Sequence, residues 1–116
     1  MIAYRYRVLE VLRVVDGDTV DLRIDLGFHT SVAERFRLAG IDTPELVGPE
    51  RARALEATAW LEAQLRGALP GRLELESTKL DKFRRWLADL WIIEPSGITR
   101  FVNAELIDTG RAAPYR

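Results

Sequence analysis

The chain of 116 residues contains no cysteine and a single histidine, His29. The first absence removes disulfide frameworks, thiolate metal clusters and thiol nucleophiles together. The second nearly excludes Ser-His chemistry and leaves carboxylate and carbonyl oxygens as metal donors, a set that selects hard cations such as calcium or magnesium. A dominant sign of charge is lacking too. With 17 basic and 18 acidic residues the formal net charge is -1, so the molecule has no long-range field towards polyanions and any nucleic-acid site has to be a local patch. Nor is there a long hydrophobic run. The opening segment MIAYRYRVLEVLRVV is interrupted by Arg5, Arg7, Glu10 and Arg13, unlike a signal peptide or a membrane span. A cytoplasmic protein without a membrane partner is expected, with secretion of a processed form left open.

What is present is one domain's worth of material, 47% hydrophobic and 30% charged, and a single domain over 1–116 is expected. From Tyr4 to Val15 and from Val20 to Leu26 the pattern is strand-like; Val20, Leu22, Ile24 and Leu26 alternate with Asp21, Arg23 and Asp25, which buries one face and wets the other. Between them Asp16-Gly17-Asp18 reads as a tight turn in which Gly17 can take a positive φ. A reversal at Gly27 to Thr30 leads into a third strand from about Ser31 to Ile41. Gly48-Pro49-Glu50 marks a helix start, with Pro49 at the first helical position and Glu50 at the positive end of the dipole. Ala54, Ala57, Thr58, Leu61 and Leu65 then recur at helical spacing to about Arg66.

Leu73 and Leu75 between Glu74 and Glu76 form a fourth strand, and Trp86 to Ile93 a fifth, apolar enough to be largely buried. A short helix over Asn103 to Thr109 ends at Gly110, and the six residues beyond it are too few for another element. The order β-β-β-α-β-β-α is that of a mainly β five-stranded oligonucleotide-binding (OB-fold) barrel. Such a fold does not give a function by itself.

The stretch richest in chemistry is Arg35-Phe36-Arg37-Leu38-Ala39-Gly40-Ile41-Asp42-Thr43-Pro44-Glu45. Pro44 fixes its own φ and biases Thr43 towards an extended backbone, which stiffens the loop. In a curled meander Asp18 and Asp42 can meet at one end of the sheet. Two bare carboxylates about 4 Å apart repel by roughly 4 kcal/mol at an effective dielectric near 20, a cost that a divalent cation removes. Asp18, Asp42 and the Thr43 carbonyl offer the all-oxygen donor set that calcium prefers. The competing reading makes Asp18 a turn acid and Asp42 a strand-ending acid. Lys79-Leu80-Asp81-Lys82-Phe83-Arg84-Arg85-Trp86 sets cations beside aromatic rings, either as a recognition surface or as a solvated basic loop with Phe83 and Trp86 tucked into the core.

Taken together, Val15-Asp16-Gly17-Asp18-Thr19, Arg37 with Asp42-Thr43-Pro44-Glu45, Gly48-Pro49-Glu50, Asp81-Lys82-Phe83-Arg84-Arg85 and Val102-Asn103 through Gly110 resemble the staphylococcal nuclease (thermonuclease-like) family from about Val14 to Tyr115. The resemblance implies a calcium-dependent phosphodiesterase acting on DNA or RNA or both. It implies Asp18, Asp42 and Thr43 as metal ligands, Glu45 near the attacking water, and Arg37 and Arg85 on the phosphate. Asp16 becomes a further acid bordering the metal. Lys82, Phe83 and Arg84 fall on the substrate-binding side; Tyr115 is either a further ring for stacking on a base or a core or surface ring, and a monomer is expected.

Several positions depart from the family's pattern. Phe83 stands where tyrosine is usual, which removes a phenolic hydrogen bond and keeps the stacking surface. Only Leu46 and Val47 separate Glu45 from Gly48, so the active-site loop is shortened. The turn from Gly27 to Glu34 is longer, and the family's usual final helix falls beyond Arg116, which puts stability in question. Two other functions remain in play: a catalytically inactive module of the same fold that binds nucleic acid or protein, and a structural protein in which Arg37, Arg85, Asp42 and Glu45 form an internal ion-pair network.

Overall fold

In a computed structural model residues 4–115 are described, so residues 1–3 and 116 of the expected domain lie outside the described residues. β1 (Arg5–Asp16), β2 (Thr19–Gly27) and β3 (Thr30–Leu38) form an antiparallel meander. β1 is 12 residues long and slips register against β2 at three places. Such bulges bend a strand and increase its twist, and this one pairs with β2 from Val8 to Asp16 while Arg5 to Arg7 pair with β5 (Leu73–Leu80). β5 pairs with β6 (Trp86–Ile93), and β6 runs parallel to the end of β3 through Phe36 to Leu38. That last pairing closes five strands into a barrel, the expected mainly β OB-fold.

The core follows the alternation read in the sequence. Val20, Leu22 and Ile24 are buried, as are Phe36 and Leu38, and Leu73 and Leu75. Helix α1 (Arg51–Gly67) closes the barrel with Ala54, Ala57, Leu61 and Leu65, all buried. Among the described residues no helix is long and apolar enough to cross a membrane.

Several expectations are corrected. Leu26, on the expected buried face, is 45% exposed because β2 and β3 run on past the barrel as a hairpin. The longer turn expected over Gly27 to Glu34 is instead two residues, Phe28 and His29, between extended strands. The third strand does not continue to Ile41: Gly40 turns it with φ 76, and β4 (Ile41–Asp42) is separate. α1 starts after Glu50, so Pro49 precedes the helix and the Glu50 carboxylate pairs with Arg53 at 2.6 Å. β6 alternates instead of burying both faces, with Ala88, Leu90 and Ile92 inward and Trp91 half-buried outside.

Towards the end of the chain, β7 (Thr99–Phe101) adds to the β6 edge, and α2 (Val102–Asp108) follows it directly. Gly110, with φ 76, stops α2 as expected. The last residues do form an element: β8 (Ala113–Pro114) pairs with β4. This short pairing was illegible because its register depends on where Gly40 turns the chain.

Candidate active site

Asp18 ends the β1–β2 turn, immediately before Thr19 opens β2, and lies against the loop after β4. Its buried carboxylate accepts from the Thr43 N–H at 3.2 Å, the Thr43 hydroxyl at 3.1 Å and the Thr19 hydroxyl at 3.0 Å. Gly17 makes this approach possible. Its φ is not positive, contrary to the expectation; the constraint is space. A Cβ at Gly17 would lie 2.9 Å from Thr43 Cγ2 and 3.1 Å from Ala57 Cβ. The Asp18 N–H in turn donates to the Asp16 carboxylate at 3.0 Å.

Arg37, near the end of β3, joins Asp18 to Asp42. Its Nη2 lies 3.6 Å from Asp18 Oδ2 and 3.4 Å from Asp42 Oδ1. Nη1 donates to the carbonyls of Ile41 at 3.1 Å and Leu38 at 3.3 Å, so the guanidinium is fixed from both edges. The Asp18 and Arg37 side chains are only 10% and 13% exposed, whereas that of Asp42 is 59% exposed. One member of the acid pair is therefore enclosed, while the other is open to solvent with its carboxylate paired to Arg37.

The electrostatics separate the two turn acids. Burial, followed by the hydrogen bond to Asp18, pushes the Asp16 carboxyl up to about 6. Burial acts the same way on Asp18, but the hydrogen bond with Asp16, the Arg37 charge and the Thr43 N–H outweigh it and hold Asp18 below the usual carboxylate range.

The residues present fit a hard dication. Two carboxylate oxygens already lie within 3.6 Å of one cationic nitrogen, and an ion joining them would need oxygen bonds of about 2.3–2.6 Å. Among the described residues no three acidic or imidazole side chains converge, so a dication here would draw further oxygens from the Thr43 carbonyl and from water.

Beside Arg37 opens a cleft of about 490 Å³, lined by Lys79, Asp81, Lys82, Phe83, Arg85 and Tyr115 among others. The β5–β6 turn that forms its rim is organised by Asp81, whose carboxylate accepts from the N–H groups of Phe83 at 2.8 Å and Arg85 at 2.9 Å and from Arg85 Nε at 2.8 Å. Burial would raise the Asp81 carboxyl, but those two N–H groups and the guanidinium outweigh it and hold it low. Phe83 is 67% exposed, not tucked into the core. Across the cleft the Tyr115 ring lies 5.2 Å from the Arg37 guanidinium, and its N–H donates to Gly40 at 2.9 Å.

Asp18, Arg37, Asp42 and Thr43 are thus brought together, and Arg37, Lys82, Phe83, Arg85 and Tyr115 line one cleft. Arg84 does not line it; this exposed residue turns the loop with φ 64. Glu45 is exposed and, among the described residues, forms no ion pair. Arg85 pairs with Asp81, not with Asp42 or Glu45, so the internal network of those four residues does not form. Lys79 and Asp81 are the cleft residues that sequence reasoning left without a role, although the four-residue spacing from Asp81 to Arg85 carried a signal. Buried Asn103 holds the arrangement from behind: its side chain accepts from the Leu90 N–H at 3.1 Å and donates to the carbonyls of Ala39 and Ala88, each at 3.0 Å. The turn between Arg37 and Asp42 is thereby tied to β6.

Comparison with known proteins gives a family and several relatives. The sequence profile described as "Staphylococcal nuclease homologue" matches residues 35–116. Thermonuclease of Staphylococcus intermedius is 35% identical over 85 residues, covering 71% of this chain and 47% of the relative. Thermonuclease of Staphylococcus hyicus is 31% identical over 86 residues, covering 72% and 47%. Protein ParB of Escherichia coli is 29% identical over 111 residues, covering 92% and 56%. The chain spans about half the length of the curated relatives it matches.

Proposed function

The chain belongs to the staphylococcal nuclease family, and from that membership we propose that it is a calcium-dependent nuclease hydrolysing phosphodiester bonds of DNA or RNA. The observation that carries this reading is the Arg37 guanidinium, held between Asp18 and Asp42 while it also lines a cationic cleft. Asp18, Asp42 and the Thr43 carbonyl would hold the calcium. Calcium, when bound, would supply positive charge against the phosphoryl oxygens.

The chain's own residues do the rest. A phosphodiester is anionic, and its pentacoordinate transition state gathers more charge on the oxygens; Arg37 and Arg85 would set their positive charge against it. Glu45 takes a proton from the attacking water as its oxygen bonds to phosphorus and the P–O ester bond breaks; the leaving oxygen takes its proton from solvent. A positioned general base of this kind contributes about 10²–10⁴-fold. Lys82 pairs with a neighbouring phosphate, Phe83 and Tyr115 offer faces to the flanking bases, and Arg84 adds positive charge outside the cleft.

The test is digestion of single-stranded DNA, RNA and plasmid with calcium, magnesium or chelator in parallel. Cleavage is expected with calcium, lost in chelator, and lost in Asp42→Ala and Arg37→Ala chains that remain folded. Binding without cleavage in every condition would instead identify a catalytically inactive module.

A further inference from the structure

The cationic cleft does not end at Lys79. Ala39, Lys79 and Leu87 also line a second hollow of about 130 Å³, whose other walls include Glu76 and Asp89. The two hollows are contiguous over the outer face of β5 and β6, and the sign of the charge reverses between them. Arg37, Lys79, Lys82 and Arg85 outnumber Asp81 in the first; Glu76 and Asp89 outnumber Lys79 in the second. Glu76 and Asp89 stand directly opposite one another in the β5–β6 register, where side chains share a face and like charges repel.

Lys79 shares their hollow but is not paired with either carboxylate. Among the described residues neither forms an ion pair. Arg5, which is opposite Glu76 on β1, turns instead to Glu74 at 3.6 Å and to the Trp91 ring at 3.9 Å. The polar contact to Asp89 is a long one, 3.4 Å from Asn103 Nδ2. Burial, followed by the Glu76 charge, raises the Asp89 carboxyl, as expected for two acids facing each other without a cation between them. An opposed acid pair of this sort weakens the sheet, so its physical effect is on what approaches the surface.

We propose that Glu76 and Asp89 form an electrostatic stop at one end of the cleft, so that it accepts the end of a nucleic-acid strand in preference to an unbroken strand laid across β5 and β6. The inference rests on the nucleic-acid reading of the cleft given above and adds the direction in which the strand runs. A phosphate bound at Lys79 is favoured; the next one along the sheet meets two carboxylates within the roughly 10 Å over which charges act at 0.1 M salt. Discrimination by a repulsive element needs no further contact with the preferred ligand.

The experiment compares a linear single-stranded oligonucleotide with the same sequence closed into a circle, by fluorescence anisotropy in chelator. The wild-type chain is expected to bind the linear form at least about threefold more tightly at low salt, and Glu76→Gln/Asp89→Asn is expected to bring the circle to parity by strengthening its binding. Glu76→Gln alone, which leaves the Asn103 contact intact, should close part of the gap and serves if the double variant does not fold. Equal binding of circle and linear form by the wild-type chain, or an unchanged preference in both variants, would overturn the proposal. Hydrolysis with calcium is read alongside. Preferential binding without cleavage ends the nuclease reading and leaves the stop standing; equal binding with cleavage ends the stop alone; no binding of either form ends both.

Discussion

The cluster around Asp18 and the rim from Lys79 to Arg85 both adjoin Arg37, yet they are held in opposite ways. Arg37 sits on a barrel strand and Asp18 in the tight turn between two of them; both are nearly buried and tied by backbone and side-chain bonds from β2, β3, β4 and the Thr43 loop. The rim is an exposed turn in which Asp81 holds the backbone of Phe83 and Arg85 together with the Arg85 guanidinium. Groups that must share a cation within a few tenths of an ångström gain from a packed scaffold, whereas groups that meet a variable polymer tolerate a looser one. Mutation should therefore cost stability and activity together in the first region and activity alone in the second.

The sharpest way to break that contrast is the arginine pair. Arg37→Ala leaves Asp18 buried without its cation, and is expected to cost about 2–3 kcal/mol of stability as well as about 10²–10³-fold in turnover. Arg85→Ala is expected to lose comparable turnover with a shift in melting temperature of at most about 2 °C, since its side chain is 27% exposed on the rim. Equal destabilisation by the two, read by thermal melting, would remove the distinction.

Gly17→Ala examines the packed side without touching a charged group. The new methyl would meet Thr43 Cγ2 at 2.9 Å, so a loss of about 1–3 kcal/mol and weaker calcium binding are expected, measured by urea unfolding and calorimetry. Asp81→Ala examines the rim. It frees two N–H groups and one guanidinium, and is expected to raise KM about tenfold with a smaller change in kcat and at most about 1 kcal/mol of destabilisation.

How far these regions were legible in the sequence follows the same division. The alternation of Val20, Leu22 and Ile24 and the helical spacing of Ala54, Ala57, Leu61 and Leu65 located barrel and helix because burial imposes those periods. Asp18 and Asp42 lie beside such elements, so the meander allowed them to meet, and the family resemblance added Arg37 and Thr43. Tyr115 was visible as a candidate, but its seat over Arg37 depends on β8 pairing with β4, a contact of two residues each with no periodicity to announce it. Gly17 was read for its turn conformation when its value is the room it leaves for Thr43. The charge reversal at Glu76 and Asp89 required knowing that β5 and β6 pair in that register.

The smallest expected effect concerns Asp16. Its carboxyl is raised in the folded chain to about 6, so the native state holds a proton that the unfolded chain releases near pH 4. Metal-free stability should then be greatest below pH 4 with respect to this group and decline as pH rises towards 6. Asp16→Asn removes that penalty, and after allowance for its partial exposure should stabilise the calcium-free protein at pH 7 by about 1 kcal/mol, with no gain at pH 4. Melting curves at the two pH values check the sign.

The central claim is that Asp18, Asp42 and the Thr43 carbonyl form one calcium site against Arg37, and a calcium titration of thermal stability tests it most directly. The wild-type chain should gain about 2.7 kcal/mol when calcium reaches 100 times its dissociation constant. Asp42→Asn changes an exposed side chain and should leave the calcium-free melting temperature nearly unchanged while moving the response to far higher calcium. Superimposable calcium responses in the two chains, or none in the wild type, would contradict the account.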